Sequence, residues 1–212
     1  PALSQRLGPV DREKARAALA PRGVPMAAAE RLRPEILVAM LAIPACERTA
    51  LAEGREVLDT RLAREAVERG LTVEGLETYE ESLAAFGSIG EAAMTRLIRD
   101  AISAVPDEED LRATLEALYA EERVAAILAF NIWHAGVDAP IGERAAIRRA
   151  AAGLERALLT RRNRSWMAPI ARAARRGGAF VAVGALHLAG ETGLVALLRD
   201  RGFTVERLPL DG

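Results

Sequence analysis

The fold is decided near the C-terminus, by residues 179–208, AFVAVGALHLAGETGLVALLRDRGFTVERL. Residues 179–183 form a short apolar run bounded by glycines, which is typical of a strand that is buried on both faces. Apolar residues then recur at helical spacing over residues 191–201, and residues 203–208 alternate as in a second strand. The stretch therefore predicts a strand–helix–strand unit.

His187 lies in the turn between the first predicted strand and the helix. Such a unit closes as a right-handed crossover, and open parallel sheets bind ligands at the carboxyl ends of their strands. Gly184 is expected to let the chain turn sharply, and Gly190 and Gly193 to let backbone segments come close where free N–H groups attract anions. His187 is either a ligand or acid–base group in a pocket or a residue that caps a turn, and the local sequence leaves both readings open.

A third strand is predicted over Leu71–Leu76, with Glu77 at its carboxyl end. Thr78 is suited to cap the following helix, and Glu81, three residues on, completes the pattern of a capping box. Glu77 is therefore predicted at a strand exit, as His187 is.

The rest of the chain is predicted to be helical. The predicted helices are a short one over Asp11–Leu19, two within Met26–Ile43, a long amphipathic one over Thr49–Arg69, and several between Tyr79 and Arg176. Together these patterns predict a helix-rich α/β fold with a small, mainly parallel sheet. Residues 1–212 are expected to form a single domain in which residues 87–160 are a helical portion.

Composition limits the classes of partner. The 29 basic and 30 acidic residues give a net charge of −1, which argues against nucleic acid as a main partner. The one cysteine, Cys46, excludes an intrachain disulfide and a thiolate cluster, and is expected to be buried. No run reaches the eighteen or so apolar residues of a membrane span, so no transmembrane segment is predicted.

The chain begins with proline, which leaves open both an exported protein that lost a leader and a cytoplasmic one. The oligomeric state is also open.

Three stretches resemble the TraB/PrgY/GumN family, which also contains the Tiki proteases and is distantly related to the erythromycin-esterase and ChaN-like proteins. Residues 181–205 resemble its closing motif, Arg162-Asn163 resemble its Arg-Asn/Asp segment, and GLET at residues 75–78 resembles its Gly-Leu-Glu-Thr segment. In that family a complete domain opens with a strand that ends in a second Gly-x-x-His motif. The resemblance therefore implies a domain that is N-terminally incomplete.

The resemblance implies a metal-assisted hydrolase of the peptidase type. His187 and the absent N-terminal histidine would bind a divalent ion such as Mn²⁺, Co²⁺ or Zn²⁺, Glu77 would bind it or act as a base, and Arg162 would stabilise an oxyanion. One histidine and one carboxylate rarely hold a catalytic ion, so this chain alone is expected to bind metal weakly or not at all. The alternatives are a non-catalytic protein that binds a peptide or small molecule, and a haem protein with His187 as axial ligand.

Neighbouring residues have simpler interpretations. Arg162 either holds Glu77 ionised or is one of several cations on a solvated helix face. Asn163 is a candidate helix cap, and Trp166 is expected in the core because it lies at helical spacing from Ile170. His134 is predicted at a helix end, outside any site.

Overall fold

The computed structural model describes residues 2–137 and 139–208, and every regular element in these ranges is a helix. The predicted α/β class is therefore wrong. Residues 71–76, 179–184 and 203–208 form no strand, although each has the apolar pattern of one. A helix satisfies its hydrogen bonds within its own segment, whereas a strand needs a neighbour, so an apolar run alone does not produce a sheet.

The described residues contain thirteen α-helices. They are α1 (Leu3–Arg6), α2 (Pro9–Leu19), α3 (Met26–Ala29), α4 (Pro34–Leu41), α5 (Ala45–Ala52), α6 (Leu58–Glu68), α7 (Tyr79–Gly87), α8 (Glu91–Ala104), α9 (Glu108–Ala120), α10 (Val124–Val137), α11 (Arg144–Glu155), α12 (Arg161–Arg176) and α13 (Leu194–Arg199). Short 3-10 turns lie at Ala20–Arg22, Val105–Asp107, Ile141–Glu143 and Ala185–His187, and a π-helical turn at Arg156–Thr160 joins α11 to α12.

Most predicted helices are found close to their expected positions. The helix predicted over Asp11–Leu19 is α2, and the two predicted within Met26–Ile43 are α3 and α4. The single helix predicted over Thr49–Arg69 is wrong, because α5 ends at Ala52 and α6 begins at Leu58. Gly54 lies between them with a φ of 89°, a left-handed conformation that an α-helix does not contain.

The chain divides into two compact units. The first comprises Pro1–Val73 and Ile89–Ala120, and the second Glu74–Ser88 and Glu121–Gly212. In the first, α8 packs against α2 and α4. Leu19, Leu37 and Ile98 are its largest fully buried apolar side chains. The single domain predicted for residues 1–212 stays a prediction.

Arg22 joins several helix ends of the first unit. Its side chain is only 2% exposed, and it forms an ion pair with Glu108 at 2.8 Å. The same guanidinium donates to the backbone carbonyls at the ends of α2 and α4, those of Ala18, Met40, Leu41 and Ile43. Glu108 also accepts the backbone N–H of Ala45 at the start of α5. One buried pair thus satisfies carbonyl and amide groups that helix ends leave open.

The second unit contains the residues singled out by the sequence. Its core is formed by Trp166, Met167 and Ile170 of α12 with Leu194 of α13, and Leu76 packs against them. The prediction that Trp166 belongs to the core is confirmed. Partly buried Val183, Leu197 and Leu198 complete this cluster.

Two expectations about burial are wrong. Cys46, expected to be buried, is exposed. Phe180, expected inside a doubly covered strand, is 81% exposed. Both predictions assumed that an apolar side chain is buried. They are wrong because single apolar residues are common on protein surfaces.

The three glycines before α13 differ in whether the local backbone requires glycine. Gly193 is buried, and a Cβ atom there would overlap the backbone carbonyl oxygens of Leu188 and Ala189. Gly190 has a φ of 79°, as a tight turn requires. Gly184 has φ −58° and ψ 139°, which any residue adopts, so the expected need for glycine there is wrong. The glycine requirement therefore lies at the start of α13.

We expect Gly193→Ala to destabilise the protein by about 1–3 kcal/mol, because the new methyl group meets backbone that has no rotamer to change. Gly184→Ala is the control, since its Cβ would only touch the His187 ring at an ordinary 3.7 Å. Urea unfolding of both variants measures the difference. Equal midpoints for the two variants would contradict the close approach at Gly193.

We expect Arg22→Ala to lower the free energy of unfolding by about 3–5 kcal/mol, since it leaves Glu108 and several carbonyls without their buried partner. Arg12→Ala, at an exposed site on α2, is the matched control and should change stability by less than about 0.5 kcal/mol. Thermal unfolding followed by circular dichroism gives both values. A loss below about 1 kcal/mol for Arg22→Ala would refute this role.

Candidate functional site

The candidate site is built around the first two turns of α12. The π-helical turn Arg156–Thr160 leads directly into this helix, and turns of this kind are frequent at functional sites. Arg162 donates from Nη1 to the carbonyl oxygen of Leu158 in the turn, at 3.2 Å. Because Arg162 and Trp166 are four residues apart, their side chains lie on one face of the helix. The guanidinium carbon of Arg162 lies 4.7 Å from the centre of the Trp166 ring.

Glu77 faces Arg162 just before α7. Arg162 donates from Nη2 to Oε1 at 2.8 Å and from Nε to Oε2 at 3.1 Å, a two-point pairing of guanidinium and carboxylate. Trp166 donates its indole N–H to Oε2 at 3.0 Å. The predicted capping box is confirmed beside it, with Thr78 and Glu81 exchanging hydrogen bonds at the start of α7. The backbone at Glu77 is thus held by the helix that follows it.

The pKa of the Glu77 carboxyl is lowered from its ordinary value. Burial pushes this pKa upward, but the hydrogen bonds and positive charge of Arg162, with hydrogen bonds from Trp166 and Ser82, outweigh it. Glu77 is therefore a carboxylate at neutral pH.

His187 is held by the buried side chain of Asn163. Its Nδ1 lies 2.6 Å from Oδ1 of Asn163. The amide nitrogen of Asn163 donates to the backbone carbonyls of His187 at 3.1 Å and Thr192 at 2.8 Å. These two carbonyls fix the amide orientation, so Oδ1 faces the imidazole as an acceptor and Nδ1 carries the proton. The other ring nitrogen, Nε2, is left with a free lone pair.

The His187 ring lies in an apolar, electropositive environment. Its centre is 4.5 Å from that of the Trp166 ring, and the residue is 8% exposed. Burial, followed by the positive charge of Arg162, lowers its pKa to about 4, while the Glu77 carboxylate acts in the opposite direction. The imidazole is consequently neutral at physiological pH.

The structure therefore brings the predicted site residues into one cluster. Trp166 contacts all three of Glu77, Arg162 and His187. Of the two interpretations of Arg162, the ion pair with Glu77 is the one found. The roles of Glu77, Arg162 and His187 in catalysis or metal binding stay predictions.

Two members of the cluster have contacts that differ from those the sequence predicts. Asn163, predicted as a helix cap, is instead buried within a continuous helix and bonded to residues 24 and 29 positions away. Trp166 was identified as a core residue, but its hydrogen bond to Glu77 was not foreseen. The helical spacing of Arg162 and Trp166 is the sequence signal for a shared face. His134 lies in the last turn of α10, as predicted.

His187 and Glu77 differ in how well they suit a divalent ion. His187 fits the requirements of a ligand, because a neutral imidazole whose other nitrogen is hydrogen-bonded is the usual form of a metal-binding histidine. Glu77 fits less well, since both its oxygens already accept N–H groups. In residues 2–137 and 139–208, no group of three or more His, Cys, Asp or Glu side chains is placed to hold an ion. By themselves, the described residues therefore do not form a complete metal site.

Comparison with known families gives a match over almost the whole chain. The profile of the TraB/PrgY/gumN family matches residues 1–207. The chain belongs to this family. Neither the curated proteins nor the solved structures contain a match. The resemblance seen in residues 75–78, Arg162-Asn163 and residues 181–205 is thereby confirmed as family membership.

In the part of this TraB/PrgY/gumN family member that the structure describes, no helix is both long enough and apolar enough to cross a bilayer.

The lowered pKa of His187 gives an expected pH dependence of stability. In the unfolded chain this group titrates near 6.5, so between pH 6.5 and about 4 the unfolded chain binds a proton that the folded protein does not. The free energy of unfolding should fall as the pH falls through this window, by up to about 3 kcal/mol from this group.

Urea unfolding of the wild type and His187→Gln between pH 7 and pH 4 isolates the contribution, because other groups titrate in both proteins. The variant should show the shallower dependence of the free energy of unfolding on pH. Identical slopes for the wild type and His187→Gln would contradict a neutral, buried His187.

Proposed function

We propose that this TraB/PrgY/gumN family member is part of a metal-dependent hydrolase of the peptidase type, to whose metal site the chain contributes only some of the ligands. The single observation that carries the proposal is the state of His187. Asn163 fixes the proton on Nδ1, and the low pKa of His187 keeps the ring neutral. The unprotonated Nε2 therefore has a lone pair that can bind a metal ion. Mn²⁺, Co²⁺ and Zn²⁺ all accept such a ligand.

The pKa of His187 favours a ligand over an acid–base role. A general base works best when its pKa lies near the operating pH, and a pKa of about 4 makes the imidazole a weak base at pH 7. The same low pKa benefits a ligand, because protons then do not compete with the metal.

Arg162 is the residue that we propose binds the substrate oxygen. Of its five N–H groups, two donate to Glu77 and one to Leu158, so two have no partner among the described residues. The side chain is 22% exposed and can be reached from solvent. Glu77 holds the guanidinium in a fixed direction, so a carbonyl or carboxylate oxygen would meet donors that are already oriented.

A ligand-binding protein is the second candidate. One observation favours it, the lack of three grouped ligands in the described residues. In that case Arg162 would bind the carboxylate of a peptide or small molecule without reaction, and His187 would serve as a fixed hydrogen-bonding group.

Hydrolysis of a peptide library by the protein as encoded, with any residues that flank 1–212, separates the two functions. We expect cleavage that requires Mn²⁺, Co²⁺ or Zn²⁺ and is lost at least 100-fold in His187→Ala, as for the removal of an essential group. His134→Ala is the matched control and should retain full activity. Saturable peptide binding without cleavage under every metal condition would favour the second candidate.

Metal affinity of residues 1–212 alone provides a further test. We expect calorimetric titration with Mn²⁺ or Zn²⁺ to give dissociation constants weaker than micromolar, because one imidazole and an already engaged carboxylate hold an ion poorly. Residual Zn²⁺ binding should decrease in His187→Ala and not in His134→Ala. Micromolar or tighter affinity for this chain would refute the incomplete site.

A further inference from the structure

The solvent-facing side of α12 carries five arginines and no acidic residue. We refer to this set as the arginine face, and it consists of Arg161, Arg164, Arg172, Arg175 and Arg176. At about 100° per residue these positions fall within a face about 120° wide, and they extend over about 22 Å of helix. The opposite side of the helix packs into the core through Trp166 and Ile170.

The arginine face has no compensating charges. All five side chains belong to exposed residues, and none forms an ion pair with a residue that the structure describes. Residues 139–208 contain thirteen arginines and five acidic residues, so the overall charge of −1 hides a strongly basic C-terminal third. Other exposed arginines of the chain do find partners, as Arg61 does with Glu65. Arg175 also lies over the Phe203 ring, with its guanidinium carbon 5.6 Å from the ring centre, and keeps its charge. A row of cations without acidic partners attracts an anionic surface.

Only small side chains lie between the arginines. Ser165 and Ala168 occupy the same side of α12 and are exposed. They let the helix lie close against a flat surface while the long guanidinium side chains reach to either side of it. Guanidinium groups bind phosphate through two parallel hydrogen bonds, which suits a surface of phosphate-bearing headgroups.

Apolar side chains follow the arginine face directly. Phe180 is 81% exposed and Val181 40% exposed, and they come four and five residues after Arg176. Exposed aromatic and aliphatic groups next to a basic helix are typical of proteins that lie on the interface of a bilayer. Exposed apolar side chains gain nothing from a phosphate backbone, so Phe180 and Val181 favour a bilayer over duplex nucleic acid as the anionic partner.

We propose that the arginine face docks the protein on membranes that contain anionic phospholipids. The arginines bind the headgroup phosphates and carboxylates electrostatically, and Phe180 enters the boundary between headgroups and acyl chains. The binding is peripheral and reversible, and it falls as ionic strength rises. This inference does not depend on the proposed hydrolase or ligand-binding function.

Co-sedimentation with vesicles tests the proposal. The probes are vesicles of phosphatidylcholine alone and of phosphatidylcholine mixed with phosphatidylserine or phosphatidylglycerol. We expect binding only to the two anionic mixtures, and the triple variant Arg164→Gln, Arg172→Gln, Arg176→Gln should weaken it on the order of 100-fold. Glutamine has a helix propensity close to that of arginine, so α12 should persist, as circular dichroism would verify.

A matched control removes the same charge elsewhere. Arg12→Gln, Arg31→Gln and Arg55→Gln lie at exposed positions of the first unit, and this triple variant should bind anionic vesicles as the wild type does. Phe180→Ala leaves the charge unchanged and should lower the affinity by about tenfold through lost apolar contact.

Three results would overturn the proposal. The first is no binding to either anionic mixture, and the second is equal loss of binding in both triple variants. The third is binding of duplex DNA or RNA, but not of vesicles, that the arginine-face variant abolishes; this result would assign the surface to nucleic acid instead.

Discussion

The side-chain amide of Asn163 is the contact on which the second unit depends. It joins α12 to the turn that precedes α13 through three hydrogen bonds, two to backbone carbonyls and one to the imidazole of His187. Because the buried Asn163 amide holds all three partners, the turn before α13 cannot move without breaking hydrogen bonds of this amide. The position of His187, its protonated nitrogen and the path of Thr192 all follow from this one side chain.

The electrostatics of the cluster follow from the residues around Trp166. Glu77 and Arg162 neutralise one another, and their partial burial is tolerable because the two-point pairing engages both carboxylate oxygens while the guanidinium still reaches solvent. His187 packs against the same indole ring and remains uncharged. The candidate site therefore holds the Glu77 carboxylate and the Arg162 guanidinium in fixed positions beside the unprotonated Nε2 of a neutral His187, and it has no large net charge.

The sequence predicted features that depend on neighbouring residues well, and contacts between residues that are distant along the chain poorly. The Thr78 cap and the burial of Trp166 were foreseen because each depends on residues within four positions along the chain. The predicted strands are absent, because residues 179–184 and 203–208 have the composition of strands but no strand to pair with among the described residues. The role of Asn163 escaped prediction for the same reason, since its partners lie 24 or more residues away.

The grouping of Glu77, Arg162 and His187 was inferred from an architecture that is absent from the described residues. A common sheet edge was expected to collect them, whereas one helix and the segments packed on it do so. The family resemblance selected three residues that do lie together, because it rests on motifs rather than on the apolar pattern of a strand. This difference explains why family membership was confirmed while the fold class was wrong.

The π-helical turn at Arg156–Thr160 sets the rotation of α12 about its own axis, and so decides which side chains of α12 face the core. Such a turn accommodates one residue more than an α-helical turn does. A relative that lacked one residue here would continue as a plain α-helix, with α12 rotated by about 100°. Asn163 would then leave His187, and the row of arginines would turn from solvent toward the core. The length of this short segment, rather than the chemistry of its side chains, thus coordinates the buried cluster with the outer surface.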